Sequence, residues 1–184
     1  SNIGRMKTIY RLGLGHRYGR IMQAIAGIHY NYSLPDAFWP LYQELEGQTG
    51  DLQAFRSATY LGAVRNVRRL DWLLLYLFGA SPALCRSFVR GRGPTNLEEL
   101  DSGTLYGPHA TSLRMSDLGY RNSAQANLVV SANSLEEYVR DLYQATHAPR
   151  PEFERIGVKV AGEYRQLNAN QLQIEIESYS TIRP

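Results

Sequence analysis

The stretch 23–35, QAIAGIHYNYSLP, places neutral polar side chains at alternate positions, where a β-strand would present them on one face. Gln23, His29 and Asn31 share that face with Gly27, and no charged residue joins them. A row of neutral donors and acceptors suits a polar ligand that lies on a sheet. An ordinary inner strand whose His and Asn are satisfied by neighbouring backbone explains the pattern equally well, so both interpretations stay open.

The first 35 residues carry positive charge only. Their five basic residues are Arg5, Lys7, Arg11, Arg17 and Arg20, and Asp36 is the first carboxylate of the chain. The net charge of the whole chain is only +3, so this excess is a local feature. Such a segment favours an anionic partner: phosphates, nucleic acid, or carboxylates from another part of a protein.

The bulk composition is typical of one globular domain. The chain has 184 residues, of which 43% are hydrophobic and 20% are charged. Its single cysteine, Cys85, excludes an internal disulfide framework and fits a reducing compartment, so we expect a cytoplasmic protein. The longest apolar run, 72–78, is too short to span a bilayer. Because the chain lacks an initiator Met and its last alternating segment continues to residue 184, we expect a piece of a longer protein.

Local patterns predict an α+β fold with an antiparallel sheet. Helices are predicted over 3–18 with a cap at Ser1 or Asn2, after Pro35, over 52–78, from the capping box that begins at Thr95, and from Ser134 to Pro149. Strands are predicted over 20–34 and 171–183, with a strand and turn over 156–165. In the last strand Leu172, Ile174 and Ile176 would face one side, and Gln173, Glu175, Glu177 and Tyr179 the other.

Several chemical motifs are incomplete. The run 13–18, GLGHRY, has tyrosine where a dinucleotide fingerprint needs its third glycine, and it precedes a predicted strand instead of following one. The four histidines do not have the spacing of zinc ligands. What remains is a set of polar residues distributed over the first helix, both alternating strands and the loop 110–120.

Five blocks of the sequence resemble the bacterial glutamate–cysteine ligase family, also called γ-glutamylcysteine synthetases. They are SNIGRMK with Tyr10-Arg11, GIHYNYSLP at 27–35, YLFGASPA at 76–83, ATSLRMSDLGY at 110–120 and LQIEIESYSTIRP at 172–184. The blocks stand in family order and span the whole chain. Since family proteins are much longer, the resemblance implies that residues 1–184 are the central part of a single ligase catalytic domain.

The resemblance also implies a fold and a reaction. The fold is a glutamine-synthetase-like antiparallel sheet that forms a funnel, with ligands on its inner face and helices outside. In the reaction the γ-carboxylate of glutamate takes the terminal phosphoryl group of ATP, and the cysteine amine then attacks the γ-glutamyl phosphate. The product begins glutathione biosynthesis. The implied cofactors are ATP and Mg²⁺, and the implied partners are glutamate, cysteine and the remainder of the parent chain, without nucleic acid or membrane.

Site roles follow from the resemblance, residue by residue. His29 resembles a magnesium ligand, Arg11 a phosphate contact, and Arg114 a contact to a substrate carboxylate or the transferring phosphoryl group. The walls of a cysteine pocket are implied to be Tyr10, Leu14, Gln23, Tyr120 and Tyr179, with Asn31 in support. The arrangement requires His29, Arg11, Tyr120 and Tyr179 to converge on one cavity. Most of the family's magnesium-binding carboxylates would lie outside this chain, and we expect the chain alone to bind ATP weakly and to be inactive.

Two alternatives remain at this point. The Arg and Tyr content would also suit a nucleic-acid-binding module, although the basic residues do not alternate with aromatic residues as in a stacking platform. A different carboxylate–amine ligase on the same scaffold is the second alternative. Glu175 and Glu177 are either metal ligands on an inner face or residues of a solvated strand edge.

Overall fold

The computed structural model describes residues 1–24, 29–79, 81–91, 95–113, 125, 127–178 and 182–184. These residues form a mixed α/β structure in which helices predominate and the strands are short and antiparallel. The helices are α1 (Asn2–Tyr18), α2 (Phe38–Leu45), α3 (Leu52–Phe78), α4 (Leu135–His147) and α5 (Pro151–Glu154). Within the described ranges, 3₁₀ helices span Arg20–Ala24, Arg86–Val89 and Glu175–Glu177. The predicted α+β class is therefore confirmed at this level.

The long helices begin where local capping signals predict. Ser1 accepts a hydrogen bond from the Gly4 amide at the start of α1, and Asp51 accepts one from the Ala54 amide at the start of α3. At the start of α4, the Ser134 hydroxyl accepts from the Glu137 amide at 3.1 Å. Because these caps satisfy amides that the helix itself leaves unpaired, they define the helix ends within the sequence.

Helices α2 and α3 pack through aromatic side chains. The Trp39 ring is 2% exposed and lies 4.8 Å from the Tyr60 ring, centroid to centroid. The Tyr60 hydroxyl accepts a hydrogen bond from the Leu34 amide at 2.9 Å, which ties the segment before α2 to α3. The Arg56 guanidinium lies 5.5 Å from the Trp39 ring and 5.9 Å from that of Tyr60.

The described strands form two small antiparallel sheets. In the first, β1 (Ala83–Cys85) pairs with β3 (Thr104–Tyr106), which also pairs with β2 (Glu98–Glu99). In the second, β4 (Lys159–Val160) pairs with β5 (Glu163–Tyr164), as the predicted strand and turn over 156–165 required. The helix predicted from Thr95 is wrong, because residues 98 and 99 belong to β2.

Two buried clusters carry the described core. Leu61 and Val64 of α3 pack with Ala132, and Ile182 packs against them. In the second cluster, Leu142 and Ala145 of α4 pack with Leu172, whose side chain is fully buried. Among the described helices, including the 27-residue α3, none combines the length and the apolar character needed to cross a membrane.

Both long predicted strands are wrong in their described parts. Residues 20–24 form a 3₁₀ helix, residues 29–34 have no regular structure, and residues 25–28 lie outside the described residues. Tyr30 and Tyr32, which a strand would place on the face opposite His29 and Asn31, are 86% and 69% exposed. Residues 175–177 form another 3₁₀ helix. A strand needs a neighbour for its amides and carbonyls, and neither segment pairs with a strand among the described residues.

The backbone of residues 171 and 172 bonds to a helix end instead. The Gln171 amide donates to the carbonyl of Ala148 at 2.8 Å, and the Leu172 amide donates to that of Ala145 at 3.0 Å. These carbonyls belong to the last turn of α4 and the residue that follows it, where the helix has no further amides to offer. This capping contact gives the segment its backbone partners outside any sheet.

Candidate functional site

A basic groove runs along one face of α1 and the 3₁₀ helix that follows it. Its volume is about 540 Å³. The lining residues are Lys7, Thr8, Arg11, Leu12, Gly15, His16, Arg20 and Gln23. Spacings of three and four residues within α1 place these side chains on one side of the helix. We refer to this set as the α1 groove.

A glycine turn folds the second wall of the α1 groove onto the first. Gly19 has φ +89°, a conformation that side-chain-bearing residues rarely adopt, and it reverses the chain after Tyr18. The Gln23 amide group then donates to the Arg11 carbonyl at 3.1 Å. Gly15 permits this close approach, since a Cβ there would lie 3.3 Å from the Arg20 side chain and 3.4 Å from that of Gln23.

The α1 groove has positive side chains and no acidic residue in its lining. Lys7, Arg11 and Arg20 form no salt bridge with any other described residue. Their side chains are exposed, so their ammonium and guanidinium groups remain able to donate to a ligand. Arg presents a planar fork that matches phosphate and carboxylate oxygens, and the groove is therefore suited to an anionic ligand.

The opposite face of α1 packs against the C-terminal segment 166–178. The Gln173 side chain donates to the Tyr10 carbonyl at 3.4 Å and accepts from the Leu167 amide at 3.1 Å. Gly13 makes room for it, because a Cβ at that position would fall directly on the Gln173 amide group. Leu14, 8% exposed, is buried on this helix.

A buried ion pair joins the end of α1 to the last 3₁₀ helix. The Arg17 guanidinium lies 3.3 Å from the Glu177 carboxylate, with side-chain exposures of 0% and 2%. The same carboxylate accepts hydrogen bonds from the Tyr18 hydroxyl and from the backbone amide of Gln173, both at 2.8 Å. Arg17 also donates to the side chain of Gln166 at 2.9 Å. The pair therefore ties α1 to the C-terminal segment from inside the fold.

The network raises the pKa of Tyr18. Burial is the main cause, and the charge of Glu177 and its hydrogen bond to the phenol act in the same direction, while Arg17 opposes them. The Tyr18 ring also lies edge-on to Phe153 with a centroid distance of 6.2 Å. The neutral phenol is thus the form that the folded protein stabilises.

The structure brings some of the predicted site residues together and separates others. Arg11 and Gln23 both line the α1 groove. Tyr10 and Leu14 belong to the same helix but are not in the groove lining. Tyr10 is partly buried, and its carbonyl contacts the C-terminal segment through Gln173. A substrate that contacts Arg11 and Gln23 would therefore need a further surface to reach Tyr10 and Leu14.

His29 and Asn31 are exposed and do not line the α1 groove. Within the described ranges, no three His, Cys, Asp or Glu side chains are grouped so that they could hold a metal ion. The described part of the chain therefore does not fit a magnesium ion by itself. Arg114, Tyr120 and Tyr179 lie outside the described residues, so their predicted convergence with Arg11 stays a prediction.

Neither predicted role of Glu177 matches its surroundings. The sequence suggested either a metal ligand or a residue of a solvated strand edge, whereas the carboxylate is buried and paired with Arg17. Glu175 is exposed in the same 3₁₀ helix. Sequence reasoning also missed the part of Gln166, which donates to the Phe153 carbonyl at 2.7 Å while accepting from Arg17. Local spacing contains no signal for partners about 150 residues apart.

Comparisons with known proteins agree over the whole chain. The family model described as glutamate–cysteine ligase matches residues 1–184. A glutamate–cysteine ligase of Alcanivorax borkumensis is 60% identical over 189 residues, which cover 100% of this chain and 36% of that protein. Those of Hahella chejuensis and Pseudomonas aeruginosa are 58% and 56% identical, and the match covers 35% of each.

A solved structure is similar in the same way. It is the crystal structure of a glutamate–cysteine ligase from Francisella tularensis in complex with AMP. The TM-score is 0.87 at 43% sequence identity, and the match covers 100% of this chain and 35% of that one. The chain thus spans about 35% of the length of the proteins it matches.

Proposed function

This chain belongs to the glutamate–cysteine ligase family, and from that premise we propose that residues 1–184 are the central part of a single ligase catalytic domain. The parent protein ligates the γ-carboxylate of L-glutamate to the amine of L-cysteine, using ATP and passing through γ-glutamyl phosphate. This is the first step of glutathione biosynthesis, and we place it in the cytoplasm. The identity of 56–60% over the whole chain is the observation that carries the proposal.

The funnel-shaped sheet belongs to the same proposal. The described strands are too short to form a funnel wall, so most of that sheet would come from segments outside this chain. The contribution of this chain is then the helical layer with α1 and α3 and the segments that lead into the sheet. The stretch 29–34 is the part that would join it, because its alternating pattern suits a strand that has a neighbour and it has no regular structure within this chain.

The α1 groove supplies the anion-binding part of the reaction. Arg11 offers two parallel N–H donors to oxygens of a phosphate, and Lys7 stands one helical turn before it. Charge that develops on the transferred phosphoryl group is stabilised by cations already held in place. The Gln23 contact to the Arg11 carbonyl fixes the second wall of the groove. Gln23, Tyr10, Leu14, Asn31, Tyr120 and Tyr179 remain the proposed substrate-binding residues, and Arg114 remains a second catalytic cation.

Magnesium belongs to the proposal for the whole ligase and not for this chain alone. When bound, it would neutralise phosphate charge during phosphoryl transfer. His29 stays the proposed ligand from this chain, and since magnesium prefers oxygen, carboxylates from elsewhere in the parent protein would complete its coordination. No step of the mechanism above depends on a metal position in this chain.

The test uses a full-length chimera in which these 184 residues replace the matching segment of the Alcanivorax borkumensis ligase. The assay measures phosphate release with ATP and glutamate, with and without cysteine. We expect release to depend on cysteine and γ-glutamylcysteine to form. Release that ignores cysteine would indicate the other carboxylate–amine ligase, and a folded but inactive chimera would contradict the proposal. The isolated chain should release no phosphate.

Arg11→Gln is the informative variant in that chimera. Loss of a preorganised cation at the transferred group should lower activity by roughly 10²-fold. Arg5→Gln is the matched control, because Arg5 lies on the same helix, has the same charge and faces the Tyr164 ring at 5.8 Å instead of the groove. Equal losses in both variants would show that total positive charge matters and that the groove does not.

A further inference from the structure

The C-terminal third of α3 exposes an unusual number of large apolar side chains. The six most exposed are Leu70 (56%), Trp72 (62%), Leu74 (49%), Tyr76 (71%), Leu77 (56%) and Phe78 (78%). We call these six residues the α3 apolar end. The apolar character of this run is typical of a helix stripe that faces a core, whereas the described structure leaves it exposed. Contiguous apolar surface of this kind marks an interface.

The part of α3 before Leu70 behaves differently. Leu61 and Val64 are 2% and 3% exposed and pack on Ala132. Arg68 donates to the Val130 carbonyl at 3.3 Å, and Arg65 donates to that of Ala132. This part of the helix is therefore packed within the chain, and the interface is confined to the C-terminal third.

The exposed residues surround most of the helix. At 100° per residue, the six positions cover an arc of roughly 240°, and the side that remains is that of Asp71 and Leu75. Asp71 and Leu75 on that remaining side are partly buried, and Gly79 just beyond the helix lies against the Thr111 backbone carbonyl. A helix that is apolar almost all round lies inside a protein core. A second copy docked on one side would leave much of this arc in water.

We propose that the α3 apolar end is a core helix of the full-length ligase, covered on all its exposed sides by segments of the same polypeptide outside these 184 residues. The match to the Francisella tularensis ligase covers 100% of this chain but only 35% of that one. The remaining 65% of a chain of that length is available to pack on the exposed helix. The inference rests on the proposal that this chain is part of a longer ligase. The partner surface should be apolar, because Asp71 is the only charged residue from 70 to 78.

Hydroxyl-radical footprinting of the full-length chimera tests the inference directly. Peptide-resolved mass spectrometry would follow oxidation of Trp72, Tyr76 and Phe78 in the folded chimera and in urea. We expect their oxidation to be suppressed in the folded protein and restored in urea. Equal rates in both states would overturn the proposal. Protection that disappears on dilution would also overturn it, because it would identify a second copy as the cover.

Substitution gives an independent measurement. Leu70→Gln with Leu77→Gln keeps helix propensity nearly unchanged but places two amides in the proposed core, and should lower the thermal midpoint of the chimera by roughly 5 °C. Leu100→Gln is the control, because Leu100 is 64% exposed but stands between Glu99 and Asp101. If the double variant is as stable as the control, the surface is not buried in the ligase.

The two proposals fail in different ways. A chimera that makes γ-glutamylcysteine while its α3 apolar end oxidises freely would contradict this inference alone. A chimera that protects the α3 apolar end but does not use cysteine would contradict the proposed function alone.

Discussion

Glu177→Gln should destabilise the protein far more than an exposed charge change of the same type. In the wild-type protein the Glu177 carboxylate receives the Arg17 guanidinium and the Tyr18 hydroxyl on one oxygen and the Gln173 amide on the other. A carboxamide keeps only one acceptor oxygen. The NH₂ group of the carboxamide would take the place of the other oxygen and would face a donor that had been hydrogen-bonded to it, so that donor loses its acceptor. In addition, Arg17 loses its counter-charge.

The magnitude follows from burial. At 3.3 Å and an effective dielectric constant of 20, the attraction between Arg17 and Glu177 is about 5 kcal/mol before desolvation is subtracted. Removing one partner of a buried pair leaves the other uncompensated, which costs roughly 3 kcal/mol or more. For a chain of this size, 3 kcal/mol corresponds to a fall of roughly 6–12 °C in the thermal midpoint.

The assay is thermal unfolding followed by circular dichroism. Asp36→Asn is the matched control, since the Asp36–Arg56 pair has a comparable N–O distance of 3.0 Å but a carboxylate side chain that is 92% exposed. An exposed pair contributes at most about 1 kcal/mol, so the control should shift the midpoint only slightly. Equal shifts in the two variants would refute the reasoning that burial determines the cost.

A double-mutant cycle separates the pair from its surroundings. Arg17→Met alone removes the cation and leaves the carboxylate buried, whereas Arg17→Met with Glu177→Gln removes both charges. The double variant should therefore be less destabilised than the sum of the single variants, by roughly 1–3 kcal/mol. A zero coupling energy would show that the two groups act separately.

Gly13→Ala should destabilise the protein by about 1–3 kcal/mol, because the new Cβ would clash with the Gln173 side chain. Gly4→Ala in the same helix should be neutral or stabilising, since a Cβ there has room. Denaturant unfolding of the two variants measures the difference, and a stabilised Gly13→Ala variant would contradict the prediction. The raised pKa of Tyr18, caused first by burial and then by Glu177, adds stability that is fully present below the unfolded phenol's pKa of about 10 and is lost as pH rises above it. In thermal scans, Tyr18→Phe should reduce this loss of stability at alkaline pH. A wild-type thermal midpoint that increases as the pH is raised beyond 10 would contradict the prediction.

The helices were predictable because their signals are local. The caps of Ser1, Asp51 and Ser134 each act within three residues, and the bounds of α1, α3 and α4 follow from them closely. The long strands were not predictable in the same way. An alternating pattern shows which side chains would share a face of a strand. A strand also requires a neighbouring strand, and the segment itself does not encode that neighbour.

The candidate site shows the same division. Arg11 follows from the family resemblance and Gln23 from both the alternating pattern and the resemblance, and the structure places both in the α1 groove. Their meeting depends on the turn at Gly19 and on the 3₁₀ helix that takes the place of the predicted strand over 20–24. His29 and Asn31, identified from their shared alternation, do not reach that groove, because the segment that carries them is not a strand in its described part.

The acid-free start of the chain acquires a physical explanation from where its cations go. Arg17 meets a carboxylate from the other end of the chain, with both groups buried, so its charge is satisfied inside the fold. Lys7, Arg11 and Arg20 lie in a groove whose lining has no carboxylate, and none of them is ion-paired within the described residues. Holding three cations close together without counter-charge costs stability through mutual repulsion, and a bound anion would relieve it. Binding of phosphate oxygens would remove this repulsion, and the free energy released would contribute to the affinity of the α1 groove for an anion.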